Sequence, residues 1–210
     1  MCMDNEPKPI VQNITVMGIG GGGMNVINRE IAEFADLKNV KLISVNTDKQ
    51  FLETAKTNKL LIGKKILDGL GAAGNFEKGE KAAESSREEI EKELTGTDKL
   101  IIIACLGGGT GTAASYVISK IAKEMNIKTA ALVTLPFDFE GKKRNLTALD
   151  GLKKLKEIIP VYSFENNSIL ENVDRSTSLR NAFSVVDKVI AQKSVEYIKN
   201  NDENIFGFDF

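Results

Sequence analysis

The chain has 210 residues, 42% of them apolar and 27% charged, with a formal net charge of −1. That length suits one large domain, or a domain and a fragment, and the balanced charge advertises no nucleic-acid or anionic-membrane partner. With two cysteines, Cys2 and Cys105, and no histidine, a disulfide framework, a thiolate metal cluster and histidine-dependent hydrolysis all fall away, so any reaction must use carboxylates, lysine, backbone amides or a bound ion.

Residues 1–13 are polar, include Pro7 and Pro9, lack the apolar stretch of a signal peptide, and read as a flexible segment. Ile14–Met17 reads as a short strand ending at Gly18, and Val26–Phe34 as a helix. Lys41–Val45 reads as a second strand, closed by Asn46-Thr47-Asp48, and Leu60–Ile62 as a short one. Glu77–Leu94 is strongly helical in pattern, with Ala82, Ala83, Ile90 and Leu94 facing one way. Leu100–Cys105 is a nearly all-apolar run, as expected for a buried central strand of a parallel sheet, and Cys105 at its end reads as a small buried hydrophobe. The longest apolar run, Leu100–Leu106, falls far short of the roughly 20 residues that span a bilayer, so the chain reads as cytoplasmic, without direct membrane insertion. Thr112–Met125 reads as a helix, Lys128–Thr134 as a strand and Val161–Phe164 as another. Between those strands Leu146–Ile159 reads as a helix carrying Leu146, Leu149, Leu152 and Leu155 at near-helical spacing. A long final helix over Ser178–Ile198 carries Leu179, Ala182, Phe183, Val186, Val189, Ile190 and Tyr197 on a broad apolar face that should lie along the sheet. The alternation predicts an α/β fold, a doubly wound, mostly parallel sheet with helices on both faces, ending in a long core helix.

Two glycine-rich turns carry the chemistry. Gly18-Ile19-Gly20-Gly21-Gly22-Gly23-Met24-Asn25 follows a strand and opens a helix, where bare amides and the helix N-terminus favour phosphate. Gly18, Gly20 and Gly23 also fit the dinucleotide fingerprint, with Asp48 near the expected ribose-binding acid, so an NAD-dependent oxidoreductase stands as one alternative. Close helix–sheet packing is the bland explanation, and four consecutive glycines speak against it because each costs backbone entropy. The second turn, Gly107-Gly108-Gly109-Thr110-Gly111-Thr112, follows the most apolar strand. Two such turns can surround a triphosphate, with Thr110 and Thr112 as hydroxyl donors. No lysine stands at the Walker A position, so phosphate binding should rest on amides and helix dipoles.

Gly-Gly-Gly-Thr-Gly-Thr over 107–112 resembles the signature loop of the tubulin and FtsZ family of GTP-binding proteins, with Ala113 where the family carries a further Gly. The likeness runs from about Ile14 to Phe210. The first turn resembles the family loop for the α- and β-phosphates, with Gly20, Gly21, Gly22, Gly23 and Asn25 in place. Asn46-Thr47-Asp48 matches its short loop in which the acid, here Asp48, lies near the water shell of Mg²⁺ without ligating it directly. Gly69 to Asn75 resembles the γ-phosphate loop, implicating Gly71, Ala72, Ala73 and Gly74. Ala73 and Gly74 are exchanged relative to the usual order, and Phe76 replaces a usual Pro. Pro136 to Arg144 resembles the sugar-contacting stretch, with Glu140 accepting from a ribose hydroxyl and Arg144 near ribose and phosphate. Asn166 and Asp187 match the guanine-reading positions, since a carboxylate accepts from guanine N1 and its exocyclic amine, and Phe183 would stack on the base.

The resemblance implies GTP or GDP and Mg²⁺ as cofactors and a GTPase fold of the tubulin/FtsZ type, with a GTP-binding domain at 14–177, the long helix at 178–199 and the start of an acidic loop at 200–210. In that family the loop acts on the nucleotide of a neighbouring subunit. Asp209 matches its first acid, Gly207 replaces an Asn, and the second acid and the C-terminal domain are absent from the chain. The implied function is an FtsZ-type protein of bacterial cell division, assembling into filaments once a C-terminal domain is supplied, with cell-division proteins as partners and the division site as its place when full-length. A GTP/GDP-binding module that regulates or caps filaments with little turnover is the alternative. The incomplete acidic loop predicts weak hydrolysis by the chain alone.

Overall fold

The computed structural model describes residues 12–170 and 178–200. Expectations for Cys2, Asp209 and the Phe-rich end at 205–210 lie outside the described residues. In chain order the elements are β1 (Ile14–Ile19), α1 (Gly20–Arg29), β2 (Val40–Asn46), α2 (Lys49–Glu53), β3 (Asn58–Leu61), α3 (Lys64–Leu67), α4 (Phe76–Glu84), α5 (Arg87–Leu94), β4 (Lys99–Cys105), α6 (Gly109–Glu124), β5 (Lys128–Leu135), α7 (Lys142–Lys156), β6 (Val161–Glu165), α8 (Asn166–Leu170) and α9 (Leu179–Asn200). Short 3₁₀ turns cover Ile31–Phe34 and Asp138–Glu140.

The six strands form one sheet in the order β3-β2-β1-β4-β5-β6, with every described pairing parallel. Its centre is β1 beside β4, with Val16 opposite Ile101 and Ile101 opposite Ala130. Because side chains alternate across a strand, Leu100 and Ile102 join one core with Met17, Ile43, Ile90, Val117, Ile121 and Leu155. Ile101 and Ile103 join the other with Val16, Ile27, Leu132, Val186 and Ile190. At about 1.5–3 kcal/mol for each fully buried aliphatic side chain, these two layers outweigh any local propensity along β4. The final helix lies against the second layer, through Val186, Ile190, Ala191 and Val195. The chain leaves β1 towards β2 on one side and β4 towards β5 on the other, so β1 and β4 meet at a switch point where α/β sheets open a crevice at the carboxyl ends.

Several boundaries differ from the sequence reading. The first helix starts at Gly20, six residues early, and stops at Arg29 before the 3₁₀ turn. The helix expected over Glu77–Leu94 breaks at Ser85-Ser86, because buried Ser86 turns its hydroxyl to accept from Gly63 N at 2.8 Å. The third strand is Asn58–Leu61 instead of Leu60–Ile62. Along α7 the buried positions are Ala148, Gly151 and Leu155, whereas Leu146 and Leu149 face solvent. No helix among the described residues is long and apolar enough to cross a membrane.

Candidate nucleotide-binding site

Both glycine turns sit at the carboxyl ends of the central strands. Gly20 to Gly23 do not form a loop; they are the first turn of α1. Gly20 has φ +70°, and a Cβ on it would stand 2.8 Å from Gly111 N. A methyl on Gly23 would overlap the Ile103 carbonyl oxygen, and one on Gly22 would overlap the Cys105 side chain. Close packing of α1 onto β4 and α6 therefore accounts for three of the four glycines, which corrects the weight given against that explanation. Gly21 meets only the Phe51 ring, 3.6 Å from a Cβ.

The second turn is different. Gly108 precedes α6 in extended conformation, and nothing lies within 4 Å of a Cβ placed on it. The first turn of α6 has no side-chain cap and no acidic residue, so the positive end of a 16-residue helix is open to an anion. The Thr112 hydroxyl does not reach into this space. It is buried and accepts from Gly107 N at 2.8 Å, so it shapes the turn. Thr110 Oγ1 lies 2.7 Å from Thr47 Oγ1, which also accepts from Ala72 N at 3.1 Å. Thr47 thus ties the β2 end to α6 and to the 68–74 loop. In that loop Asp68, Gly69, Gly71, Ala73 and Gly74 all take positive φ. Asp48 caps α2 by accepting from Phe51 N at 2.9 Å.

Two adjoining cavities form one cleft here. The deeper, about 300 Å³, is lined by the predicted Gly22, Asn25, Pro136, Glu140, Arg144, Asn166, Phe183 and Asp187. The other, about 440 Å³, is lined by the predicted Ala73, Gly74, Gly107 and Gly108, and shares Glu140 and Arg144 with the first. Gly20, Gly21, Gly23, Asp48, Gly71, Ala72, Gly109, Thr110, Gly111 and Thr112 line neither cavity. Sequence reasoning missed Arg29 and Arg180 in the deeper cavity, and Lys142 and Lys143 in the other. The two lysines lie in the first turn of α7, so cations do border the glycine end of the cleft, beyond the amides and dipoles expected there. Arg29 stands one helical turn after Asn25 on α1, the one signal that pointed to it.

The deeper cavity is electrostatically organised. Glu140 accepts from Phe137 N at 2.9 Å and pairs with Arg144 Nε at 3.1 Å, which fixes both side chains. Burial raises the Asp187 carboxyl to about 6, opposed by the charge and hydrogen bond of Arg29 and reinforced by Glu30. Burial likewise pushes the Cys105 thiol up to about 11, so it lines the cavity as a neutral group. Phe183 meets Phe137 edge-on with centroids 5.1 Å apart. Asn166 is buried, and its Oδ1 has no hydrogen-bond partner among the described residues. A buried acceptor left unpaired costs roughly 1–3 kcal/mol, so this one calls for a donor from a ligand.

A doubly wound sheet with two glycine turns at its switch point and a polar cleft beside them defines an α/β nucleotide-binding domain. The profile of the Tubulin/FtsZ family, GTPase domain, matches residues 13–174, and the chain belongs to that family. Among solved structures it is similar to the empty FtsZ dimer of M. jannaschii, at 38% identity and TM-score 0.84, covering 97% of this chain and 59% of that one. The GTPγS-bound protofilament of CetZ2 from Haloferax volcanii shares the fold at 22% identity and TM-score 0.78, over 93% of this chain and 60% of that one. CetZ from Methanosaeta thermophila does so at 20% identity and TM-score 0.75, over 94% and 57%. The chain therefore spans about three fifths of the length of these relatives.

Proposed function

We propose that the cleft binds GTP or GDP, with the base in the deeper cavity and the phosphates against Gly107, Gly108 and the 68–74 loop. The observation that carries this reading is the group of acceptors at the base end: the Asp187 carboxylate and the unpaired Asn166 Oδ1 face the same cavity. Guanine offers N1–H and both hydrogens of its exocyclic amine along one edge. Adenine offers one amine and turns its N1 lone pair towards the carboxylate. Phe183 supplies an apolar wall for the ring, and Glu140 and Arg144 lie where the two cavities join, between the ends given to base and phosphates.

Mg²⁺ fits this arrangement as a companion of the phosphates. Among the described residues no three His, Cys, Asp or Glu side chains converge on a metal position, so the ion would lean on phosphate oxygens and water, with Asp48 holding part of its water shell. It would neutralise phosphate charge there. The residues of this chain orient the nucleotide and shield its base from water.

For the wider function we infer, from the family likeness, FtsZ-type, GTP-dependent filament assembly in cell division, with hydrolysis completed by an acid from the adjacent subunit. Self-association is supported by the dimeric and protofilament relatives, and by Leu70, 84% exposed in the loop beside the phosphate end. The test is titration of the chain with GTP, ATP and NAD, with Asp187→Ala alongside, followed by pelleting after GTP addition. GTP preference that disappears in Asp187→Ala supports the reading. Equal binding of GTP and ATP, or retention of NAD, overturns it.

A further inference from the structure

One contact in this cleft is not foretold by the glycine motifs. Arg29 Nη1 donates to Asp187 Oδ2 at 2.5 Å across 158 residues of sequence. The Asp187 side chain is 6% exposed and that of Arg29 is 40% exposed, so a guanidinium at the rim reaches a carboxylate in the interior. Among the described residues the other ionisable groups around Asp187 are Glu30 just after α1, Arg180 from α9, Glu140 from the β5–α7 connection, Arg144 from α7 and the Cys105 thiol from β4.

We propose that Arg29 is the specificity-determining residue of the base cavity: with Arg29 on Asp187 the cavity takes guanine, and with a proton on Asp187 the same cavity takes adenine. The inference rests on the guanine-reading role given to Asp187 above. An ionised carboxylate presents two acceptors, the complement of guanine N1–H beside N2–H. A carboxylic acid presents an O–H donor, which adenine N1 accepts in the same pose, with adenine C2–H standing where the guanine amine stood. Asn166 Oδ1 accepts from the guanine amine alone, so the protonation of Asp187 acts through the contact at N1. Burial favours the neutral acid and Arg29 opposes it by charge and hydrogen bond. Removing the guanidinium leaves burial and Glu30 unopposed, and the acid then holds its proton to a higher pH than in the wild type.

The experiment measures GTP and ATP affinity of the full chain by calorimetry from about pH 5 to about pH 8. Wild type should prefer GTP at the alkaline end and lose that preference as pH falls through about 6. Arg29→Gln, which keeps a hydrogen-bond donor without the charge, should lose on the order of tenfold to a hundredfold of its GTP-over-ATP preference at neutral pH, with ATP affinity rising. Arg29→Lys should restore most of the preference. Asp187→Asn, which carries an acceptor and a donor at every pH, should favour ATP across the whole range. A GTP preference that ignores pH, an Arg29→Gln ratio equal to wild type, or equal loss of both nucleotides in that variant overturns the proposal while leaving Asp187 as a guanine reader. A wild-type chain with no GTP preference at any pH instead overturns the guanine assignment itself.

Discussion

Gly22 lies so close beneath Cys105 that a methyl group on the glycine would overlap both Cβ and Sγ of the cysteine. The pair sets the spacing between α1 and the end of β4 inside the cleft. Gly22→Ala should cost about 1–3 kcal/mol by overpacking, read as a lower thermal midpoint together with weaker nucleotide binding. Gly22→Ala combined with Cys105→Gly should recover most of both, a coupling that a double-mutant cycle measures. Additive losses would show that the two residues do not share that space.

Gly151 lies in a different helix from the second glycine turn, yet a Cβ on it would overlap Thr112 Cγ2. Thr112 in turn holds Gly107 N. Gly151→Ala should therefore weaken nucleotide binding even though it adds helix propensity to α7. Thr112→Ser removes the obstructing methyl and keeps the hydroxyl, so Gly151→Ala with Thr112→Ser should bind nearly as wild type in the same titration. If the double variant binds no better than Gly151→Ala alone, the packing route from α7 to the turn is wrong.

Thr47 joins three segments through one hydroxyl. Thr47→Val keeps the shape but leaves the buried Ala72 N–H without its acceptor, at about 1–3 kcal/mol. Hydrogen exchange should speed up at Ala72 and through the 68–74 loop, while Thr47→Ser stays close to wild type. Unchanged exchange in Thr47→Val would remove the hydroxyl from its proposed tethering role.

The Asp187 carboxyl moves from its ordinary 3.8 to about 6 in the folded chain. A raised acid contributes stability below its unfolded value and loses it as pH rises through the folded one. The loss is on the order of 2–3 kcal/mol by about pH 7. Nucleotide-free Asp187→Asn should therefore unfold at a higher temperature than wild type near pH 8, with the gap closing towards pH 4. A gap independent of pH would place the carboxyl in ordinary surroundings.

The central strand was legible because Leu100 to Cys105 is apolar at every position, which only a strand buried on both faces tolerates. The glycine turns were legible as a site but not in their division of labour. Gly20, Gly22 and Gly23 answer to neighbours from β4 and α6, and Gly108 alone faces open space. The break between α4 and α5 hides in sequence because its cause, Gly63 N, is 23 residues away, although a Ser-Ser pair inside a helical run hints at it. Leu146 and Leu149 mislead in α7 because the crossing with α6 is too tight for leucine and is built on Ala148 and Gly151. Arg29 carries no motif, since its meaning depends on a carboxylate 158 residues further on.

Asn166 Oδ1 is without a partner among the described residues, and this would make the proposed nucleotide a folding ligand as well as a cargo. Whatever supplies the missing donor binds the native chain and not the unfolded one, so each tenfold rise in free ligand above its Kd adds about 1.4 kcal/mol to stability. The midpoint of unfolding should then climb with nucleotide concentration, and chain purified without nucleotide should aggregate sooner on warming than chain purified with it.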